Sequence, residues 1–294
     1  MSANQAANQS AHQASLYLVG TPIGNLEDIS MRAVRILKEA DLIACEDTRQ
    51  TMKLLNHYGI DTRTISYHEH NELTRAAELI MHLEQGKSIA LVTDAGMPGV
   101  SDPGFRLVSL AIRHKVPVVP IPGASAFLSA LVASGLPTDS FVFHGFLPSK
   151  LGQRRKLLEE IQHSPWTQIF YEAPHRLLGT LEDIAEVMGP QRRVVVAREV
   201  TKIYEEFVRA TAAEVLDNFK KRDEVRGEIT LLVGRAEEPP HGVPVVTQKN
   251  ARTRVRELMR TEKIDEKEAM KRVAKEMGVS KSDVYRELQK DGKK

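Results

Sequence analysis

The chain has 294 residues, enough to bury a sizeable core and, by length, to form two domains with an appendage. Its composition, 41% hydrophobic and 27% charged, is that of a soluble globular protein, and no apolar run approaches the roughly 18–20 residues of a membrane span. A single cysteine, Cys45, excludes an internal disulfide and a cysteine-built zinc cluster and fits a reducing compartment.

The first residues, MSANQAANQSAHQAS, have neither a basic start nor an apolar stretch. They read as a disordered tail over 1–14 rather than a signal peptide, and the expected location is cytoplasmic. From Lys249 to Lys294 there are 15 Lys/Arg against 9 Asp/Glu, a balance of +6 within a net charge of +2, which leaves −4 for the rest. A basic segment on a mildly acidic body fits a polyanionic partner or a solvated helical tail, and charge alone leaves both open.

In chain order, the segment at 16–20 reads as a strand, 30–40 as a helix capped by Ser30, 42–45 as a strand, and a helix follows from about Thr48. A strand at 64–67, a helix over 72–85, a strand at 88–93, a helix near 104–114 and a strand at 116–120 continue the alternation. Such alternation predicts a parallel sheet with helices on its faces, an N-terminal α/β domain over 15–120. The Pro-Ile-Pro-Gly stretch at 120–123 reads as a hinge.

Beyond the hinge, strands are expected at 140–143, 167–171, 193–197, 203–209 and 228–233, and helices at 124–134, 150–162, 175–188 and 213–220. Two strands close together predict a mixed sheet, so 121–236 forms a second α/β domain with a ligand cleft between the two. A Pro-rich linker spans 237–248. Residues 249–294 then read as a small bundle of three basic helices, the last capped by Ser280, in a helix-turn-helix-like pattern.

Four loops carry the chemical information. Val19-Gly-Thr-Pro-Ile-Gly-Asn25 follows the first strand without the dinucleotide or phosphate-loop fingerprint, and by itself is most simply a tight turn. Thr93-Asp-Ala-Gly-Met-Pro-Gly-Val-Ser-Asp-Pro-Gly104 holds more glycine and proline than a turn requires, at the strand end where open α/β sheets bind ligands. There Asp94 can accept from a ligand or cap its own turn. Ile121-Pro-Gly-Ala-Ser-Ala126 lacks the nucleophile-elbow pattern, so its small residues point to backbone approach rather than to a nucleophilic serine. Arg226-Gly-Glu228 precedes the last strand.

Polar candidates lie beside these loops. Glu46 or Asp47 can accept a proton and Arg49 can hold a phosphate, although Asp47 can equally cap the next helix while Glu46 pairs with Arg49. Lys202 can stabilise a developing alkoxide, or be a surface lysine. His68 and His70, with an acid between them, have no further ligands at metal spacing. Together with His175 and Arg176 they suit RNA contact better, and a metal-independent enzyme is expected.

In order and spacing, the segments LVGTPIGNLEDIS, ACEDTR, SYHEHNE, LVTDAGMPGVSDPG, PGASA, HGFLP, YEAPHR, REVTKIYEE and RGEITLLV, over about 16–234, resemble the tetrapyrrole methylase family of S-adenosylmethionine methyltransferases. The resemblance is closer to the branch that 2′-O-methylates a cytidine of small-subunit ribosomal RNA. Ala95-Gly-Met-Pro98 stands where the porphyrin enzymes have Gly-Gly-Asp-Pro, which argues against a porphyrin substrate.

The resemblance implies S-adenosyl-L-methionine in the interdomain cleft, touching Pro22, Ala95, Gly96, Met97 and Val100, then Ser125 and Ala126, with Asp94 alongside. From the second domain it implies Tyr171, Glu172, Glu199, Val200 and Gly227. It implies a homodimer acting on small-subunit ribosomal RNA, in an assembled subunit, with no membrane partner. In the basic extension Arg252, Arg254, Lys271 and Arg272 are the RNA-contact candidates. Two other readings stand beside it: a tetrapyrrole-precursor methyltransferase, and a non-catalytic RNA-binding factor of ribosome assembly.

Overall fold

The computed structural model describes residues 14–236, 251–262, 264–277, 282, 284 and 285. The elements of the first lobe are β1 (Leu16–Val19), α1 (Met31–Glu39), β2 (Leu42–Cys45), α2 (Thr48–His57), β3 (Thr64–Ser66), α3 (Glu72–Glu84), β4 (Ile89–Val92), α4 (Phe105–Arg113) and β5 (Val118–Ile121). The strands form one parallel sheet in the order β3-β2-β4-β1-β5. β2 and β4 are buried at every position, as strands covered by helices on both faces must be, and both are continuous apolar runs.

The two-residue period of a strand divides these runs between two cores. Leu16, Leu42, Ala44, Ile89 and Leu91 face α3 and α4, with Leu79, Leu83 and Leu107. Val19, Ile43, Cys45, Ala90 and Val92 face the other way, toward Leu37 of α1 and Leu55 of α2. Each fully buried leucine contributes roughly 1.5–3 kcal/mol. Helix starts are fixed locally: Ser30 Oγ accepts from Ala33 N at 3.1 Å, and Asp47 Oδ1 accepts from Arg49 N at 2.8 Å.

The second lobe contains α5 (Ala126–Ser134), β6 (Phe141–Phe146), α6 (Leu151–Ile161), β7 (Thr167–Glu172), α7 (Leu177–Val187), β8 (Arg193–Arg198), β9 (Glu206–Thr211), α8 (Ala212–Lys220) and β10 (Ile229–Val233). Its sheet runs β6-β7-β10-β8-β9, with β6 and β7 parallel and every other pair antiparallel. One face packs on α6, α7 and α8 through Leu158, Leu181 and Phe219. The other packs on Ala130 and Leu131 of α5 and on Ile23, contributed by the loop that leaves β1. That isoleucine makes the two lobes share a core.

The two α/β layers expected from the alternation are both present, with displaced boundaries. The strand expected at 203–209 runs 206–211, because residues 199–205 fold into a tight turn: Lys202 N donates to Glu199 O at 2.9 Å and Thr201 N to Glu205 Oε2 at 2.7 Å. The hinge expected at 120–123 is partly strand. Pro120 lies within β5, which hydrogen-bonds only to β1, and an edge strand tolerates its missing N–H.

Chain contacts separate a second compact unit, which begins at residue 238. In it α9 (Ala251–Glu262) and α10 (Glu266–Met277) pack through Val255, Leu258, Ala269 and Val273, with Val284. Asp265 Oδ1 accepts from Glu268 N at 2.7 Å. The third helix is seen at 282, 284 and 285, and the remainder of that stretch, the 237–248 linker and the tail over 1–13 lie outside the described residues.

α8 begins with a reciprocal cap, in which Glu214 N donates to Thr211 Oγ1 and Thr211 N donates to Glu214 Oε2 at 3.0 Å. Thr211→Ala removes one half of it and should lower stability by about 1 kcal/mol. Urea unfolding should show this as a lower midpoint at unchanged slope.

Candidate functional site

The loops that leave β1, β4 and β5 meet at the carboxyl end of the parallel sheet, where such sheets bind ligands. Thr21 and Gly96 exchange backbone hydrogen bonds, Thr21 N to Gly96 O at 2.9 Å and Gly96 N to Thr21 O at 3.1 Å. Thr21 Oγ1 donates to Thr93 O at 3.1 Å and Gly20 N to Ile121 O at 3.1 Å. Gly20 and Gly123 touch through bare backbone: a Cβ on Gly20 would lie 2.7 Å from Gly123 Cα, and one on Gly123 would lie 2.7 Å from Gly20 Cα. Glycine at both positions is therefore a packing requirement.

Between these loops and the second sheet lies a cavity of about 390 Å³ with a mostly apolar lining, within the size range of small-molecule sites. From the first-lobe loops Ala95, Gly96, Met97 and Val100 line it, joined by Ser125 and Ala126. The second sheet and its loops supply Tyr171, Glu172, Val200 and Gly227. Tyr171 stands in an aromatic wall, its ring 5.0 Å from Phe143 and 5.6 Å from Phe146. Pro22, Asp94 and Glu199, expected at the ligand, are outside the lining.

Glu199 instead braces the wall. Its Oε1 accepts from Glu228 N at 2.9 Å and from Lys202 Nζ at 2.8 Å. Gly227 has φ +90, and a Cβ there would lie 2.5 Å from Glu199 Cγ. Glu172 is 2% exposed, and its carboxylate is engaged within the fold by Thr180 Oγ1 at 2.6 Å, Ala173 N at 2.8 Å and Arg176 Nε at 3.1 Å. Arg176, expected to contact RNA, also donates to Leu147 O at 2.5 Å and ties β7 to the loop after β6.

None of the three residues singled out for catalysis lines the cavity. Asp47 caps α2 and binds Arg49 Nη2 at 2.7 Å, and the hydrogen bonds from the Arg49 side chain and backbone hold its carboxyl down at about 2. Glu46 is half-buried and accepts from Thr93 Oγ1 at 3.2 Å. Burial alone would lower the Lys202 ammonium, but Glu199 and Glu228 outweigh it and raise its pKa, so the side chain stays a cation.

Asp102 lines the cavity and was not singled out in the sequence, where it sits in the Ser-Asp-Pro-Gly end of the long loop. Burial pushes its carboxyl up to about 6, with the negative charges of Glu46 and Asp94 adding to the rise and a Thr93 hydrogen bond opposing it. Ile23, Phe146 and Thr230 also line the cavity. No periodicity marks them, because they meet the ligand space only through the joining of the two lobes.

Of the RNA candidates, Arg49, His70 and His175 are exposed. His68 is partly buried, with Nε2 3.3 Å from Asn71 Nδ2 and its ring 6.0 Å from that of His70. Lys271 is exposed and Arg272 pairs with Glu262 and Glu268, whereas Arg254 is half-buried. The Arg252 side chain lies outside the described residues.

A parallel sheet and a mixed sheet closing on one cavity through glycine loops define a two-lobed α/β ligand-binding protein. The family model described as Tetrapyrrole (Corrin/Porphyrin) Methylases matches residues 15–216, and the chain belongs to that family. A ribosomal RNA small subunit methyltransferase I of Halalkalibacterium halodurans is 48% identical over 97% of this chain and 98% of its own length. One from Synechocystis is 45% identical over 94% and 99%. Among solved structures, a uroporphyrin-III C-methyl transferase from Thermus thermophilus, complexed with S-adenyl homocysteine, superposes with a TM-score of 0.53 at 22% identity, covering 75% of this chain and 97% of that one.

Gly123→Ala must separate the β1 and β5 loops and should cost about 1–3 kcal/mol of stability. Calorimetry should also show at least tenfold weaker binding of S-adenosylhomocysteine. Full affinity in the variant would mean that the backbone contact does not shape the cavity.

Proposed function

We propose that this protein is an S-adenosylmethionine-dependent methyltransferase of small-subunit ribosomal RNA, methylating a cytidine at its ribose 2′-hydroxyl. In this reading it acts in the cytoplasm, as a homodimer, on an assembled subunit. The observation that carries it is the glycine-walled cavity in a chain whose relatives, alike over nearly their whole length, bear the name ribosomal RNA small subunit methyltransferase I. Among the described residues no helix is long and apolar enough to cross a membrane.

The cavity fits the cofactor on its own terms. Ala95, Gly96, Met97, Ser125 and Ala126 line it from the first-lobe loops and the start of α5, and Tyr171, Val200 and Gly227 line it from the second sheet and its loops. S-adenosylmethionine supplies an activated methyl group on a positive sulfonium. The protein contributes position above all, a factor worth up to about 7–11 kcal/mol when reacting groups are well aligned. Its lining is mostly apolar, and the Glu199–Lys202 bond braces the Gly227 turn beside the cavity. Arg49, His70 and His175, exposed on the first unit, and Lys271 on the second are suited to phosphate and base contacts on RNA.

A tetrapyrrole precursor is the weaker reading, since it leaves the basic segment from 249 unused and since Ala95-Gly-Met-Pro98 departs from the porphyrin pattern. Labelled methyl transfer onto isolated small subunits, followed by nucleoside analysis, should yield 2′-O-methylcytidine. Label on a base, or transfer to a porphyrin precursor with none to RNA, would refute the assignment.

Removing residues 249–294 should leave S-adenosylmethionine binding unchanged, weaken binding to small subunits and flatten its salt dependence, because phosphate contacts release counterions. Equal salt slopes for the full-length and shortened chains would assign the basic segment to solvent.

A further inference from the structure

Helices α1, α2 and α8 each start on the side chain of their own cap residue, Ser30, Asp47 and Thr211. Helix α4 cannot. Its cap residue is Gly104, with φ +151, and a Cβ there would lie 3.1 Å from Gly99 N and 3.3 Å from Leu91 Cδ2. The loop over 93–104 folds back so closely at this point that glycine is required, and glycine has no side chain with which to cap a helix.

A carboxylate from the start of α3 takes that place. Gly104 N donates to Glu72 Oε1 at 3.4 Å, and the Tyr67 hydroxyl donates to the same oxygen at 2.9 Å. The Leu107 backbone, in the first turn of α4, hydrogen-bonds to the Tyr67 hydroxyl, and Arg106 Nε lies 3.9 Å from Glu72 Oε2. Tyr67 is 1% exposed, and burial together with the Glu72 carboxylate raises its pKa, which keeps the hydroxyl a donor. The turn that presents the pair is closed by Asn71, whose Oδ1 accepts from His68 N at 2.9 Å and whose Nδ2 donates to Ser66 O at 3.2 Å. Negative charge at the start of α4 also suits the helix dipole.

We infer that Glu72 and Tyr67 are positioning residues for the cofactor, acting through Gly104 on the loop that lines the cavity. The first half of this loop is tied to the β1 loop by the Thr21–Gly96 pair and the Thr21–Thr93 bond. Among the described residues no backbone-to-backbone hydrogen bond ties residues 97–103 to another segment, although Met97, Val100, Ser101 and Asp102 all line the cavity. Ser101 has φ +62, a region that side chains disfavour, so this stretch needs support from outside itself. Glu72 supplies it where the loop enters α4. Neither Glu72 nor Tyr67 lines the cavity, so their effect on the cofactor is on the fraction of loops already in the binding shape. The inference needs only the cofactor site and holds for any methyl acceptor.

The test uses the full chain with S-adenosylhomocysteine as the probe, calorimetry for affinity and hydrogen exchange for local order. Glu72→Ala should weaken binding about tenfold, the loss expected when about one empty loop in ten keeps the binding shape. In the unliganded variant, amides within 97–104 should exchange faster than in wild type while those of β4 and α3 stay protected, and bound S-adenosylhomocysteine should restore the protection. Glu72→Gln keeps an accepting oxygen and should recover most of the affinity. Tyr67→Phe removes one hydroxyl and should give a smaller loss in the same direction. Because both residues act on one oxygen, the double variant Tyr67→Phe/Glu72→Ala should bind no worse than Glu72→Ala alone.

An affinity within about threefold of wild type in Glu72→Ala, faster exchange spread across the whole parallel sheet, or a Glu72→Gln as weak as Glu72→Ala would each overturn the assignment. Should Glu72→Ala not fold, Tyr67→Phe decides: unchanged affinity and unchanged exchange within 97–104 would refute the brace. The ratio of variant to wild type reports on the brace, while a wild type that fails to bind S-adenosylhomocysteine would remove the cofactor reading with it.

Discussion

The architecture depends on one steric fact: at Gly20 and Gly123 two neighbouring parallel strands end with their backbones in contact and no room for a methyl group. Here the contact draws the β1 and β5 loops together, and the Thr21–Gly96 hydrogen-bond pair draws the β4 loop against them. The three loops become one surface. Ile23, two residues beyond Thr21, then reaches the core of the second sheet, so the element that shapes the cavity also fastens the lobe that closes it.

Charge is handled differently on the two sides of this cavity. On the second-lobe side, each acidic group near the wall has a donor: Glu172 has Arg176 and Thr180, while Glu199 and Glu228 share Lys202. These pairs hold the turns that carry Tyr171 and Gly227. On the first-lobe side Glu46, Asp94 and Asp102 gather around Thr93 with little cationic relief, Arg49 being committed to Asp47. A concentration of negative charge in a half-buried place is costly to a protein without a ligand and favourable to a positively charged one. The imbalance suits a site that receives a sulfonium.

Much of the fold was legible because parallel sheets write their burial directly into sequence. LIAC and IALV have no other use than as central strands, and Ser30 marks a helix start within one turn. The glycine loops announced close backbone approach, though not what approaches. Less legible was anything decided by contacts distant in the chain. Glu172 and Arg176 look like ligand residues because they follow a strand, yet their four-residue spacing across a bend lets them bond each other, and Thr180 completes the set. Asp102 was hidden by the opposite circumstance. Ser-Asp-Pro-Gly reads as turn chemistry, and its charge environment comes from Glu46, 56 positions earlier, and Asp94. The β9 boundary was missed because Ile203 and Tyr204, apolar and aromatic, stand exposed in a turn.

Cys45 ends β2 directly before the acidic loop, fully buried and donating to Ile65 O at 3.6 Å. Burial pushes its thiol upward, and the charges of Asp94 and Asp47 push the same way. As thiolate is the reactive form, the native sheet renders this sulfur inert to alkylating and oxidising agents. Being the chain's single cysteine, it is a natural clock: each encounter with a maleimide records an opening of the central strands, so labelling kinetics read out the breathing of the parallel sheet without any engineered probe.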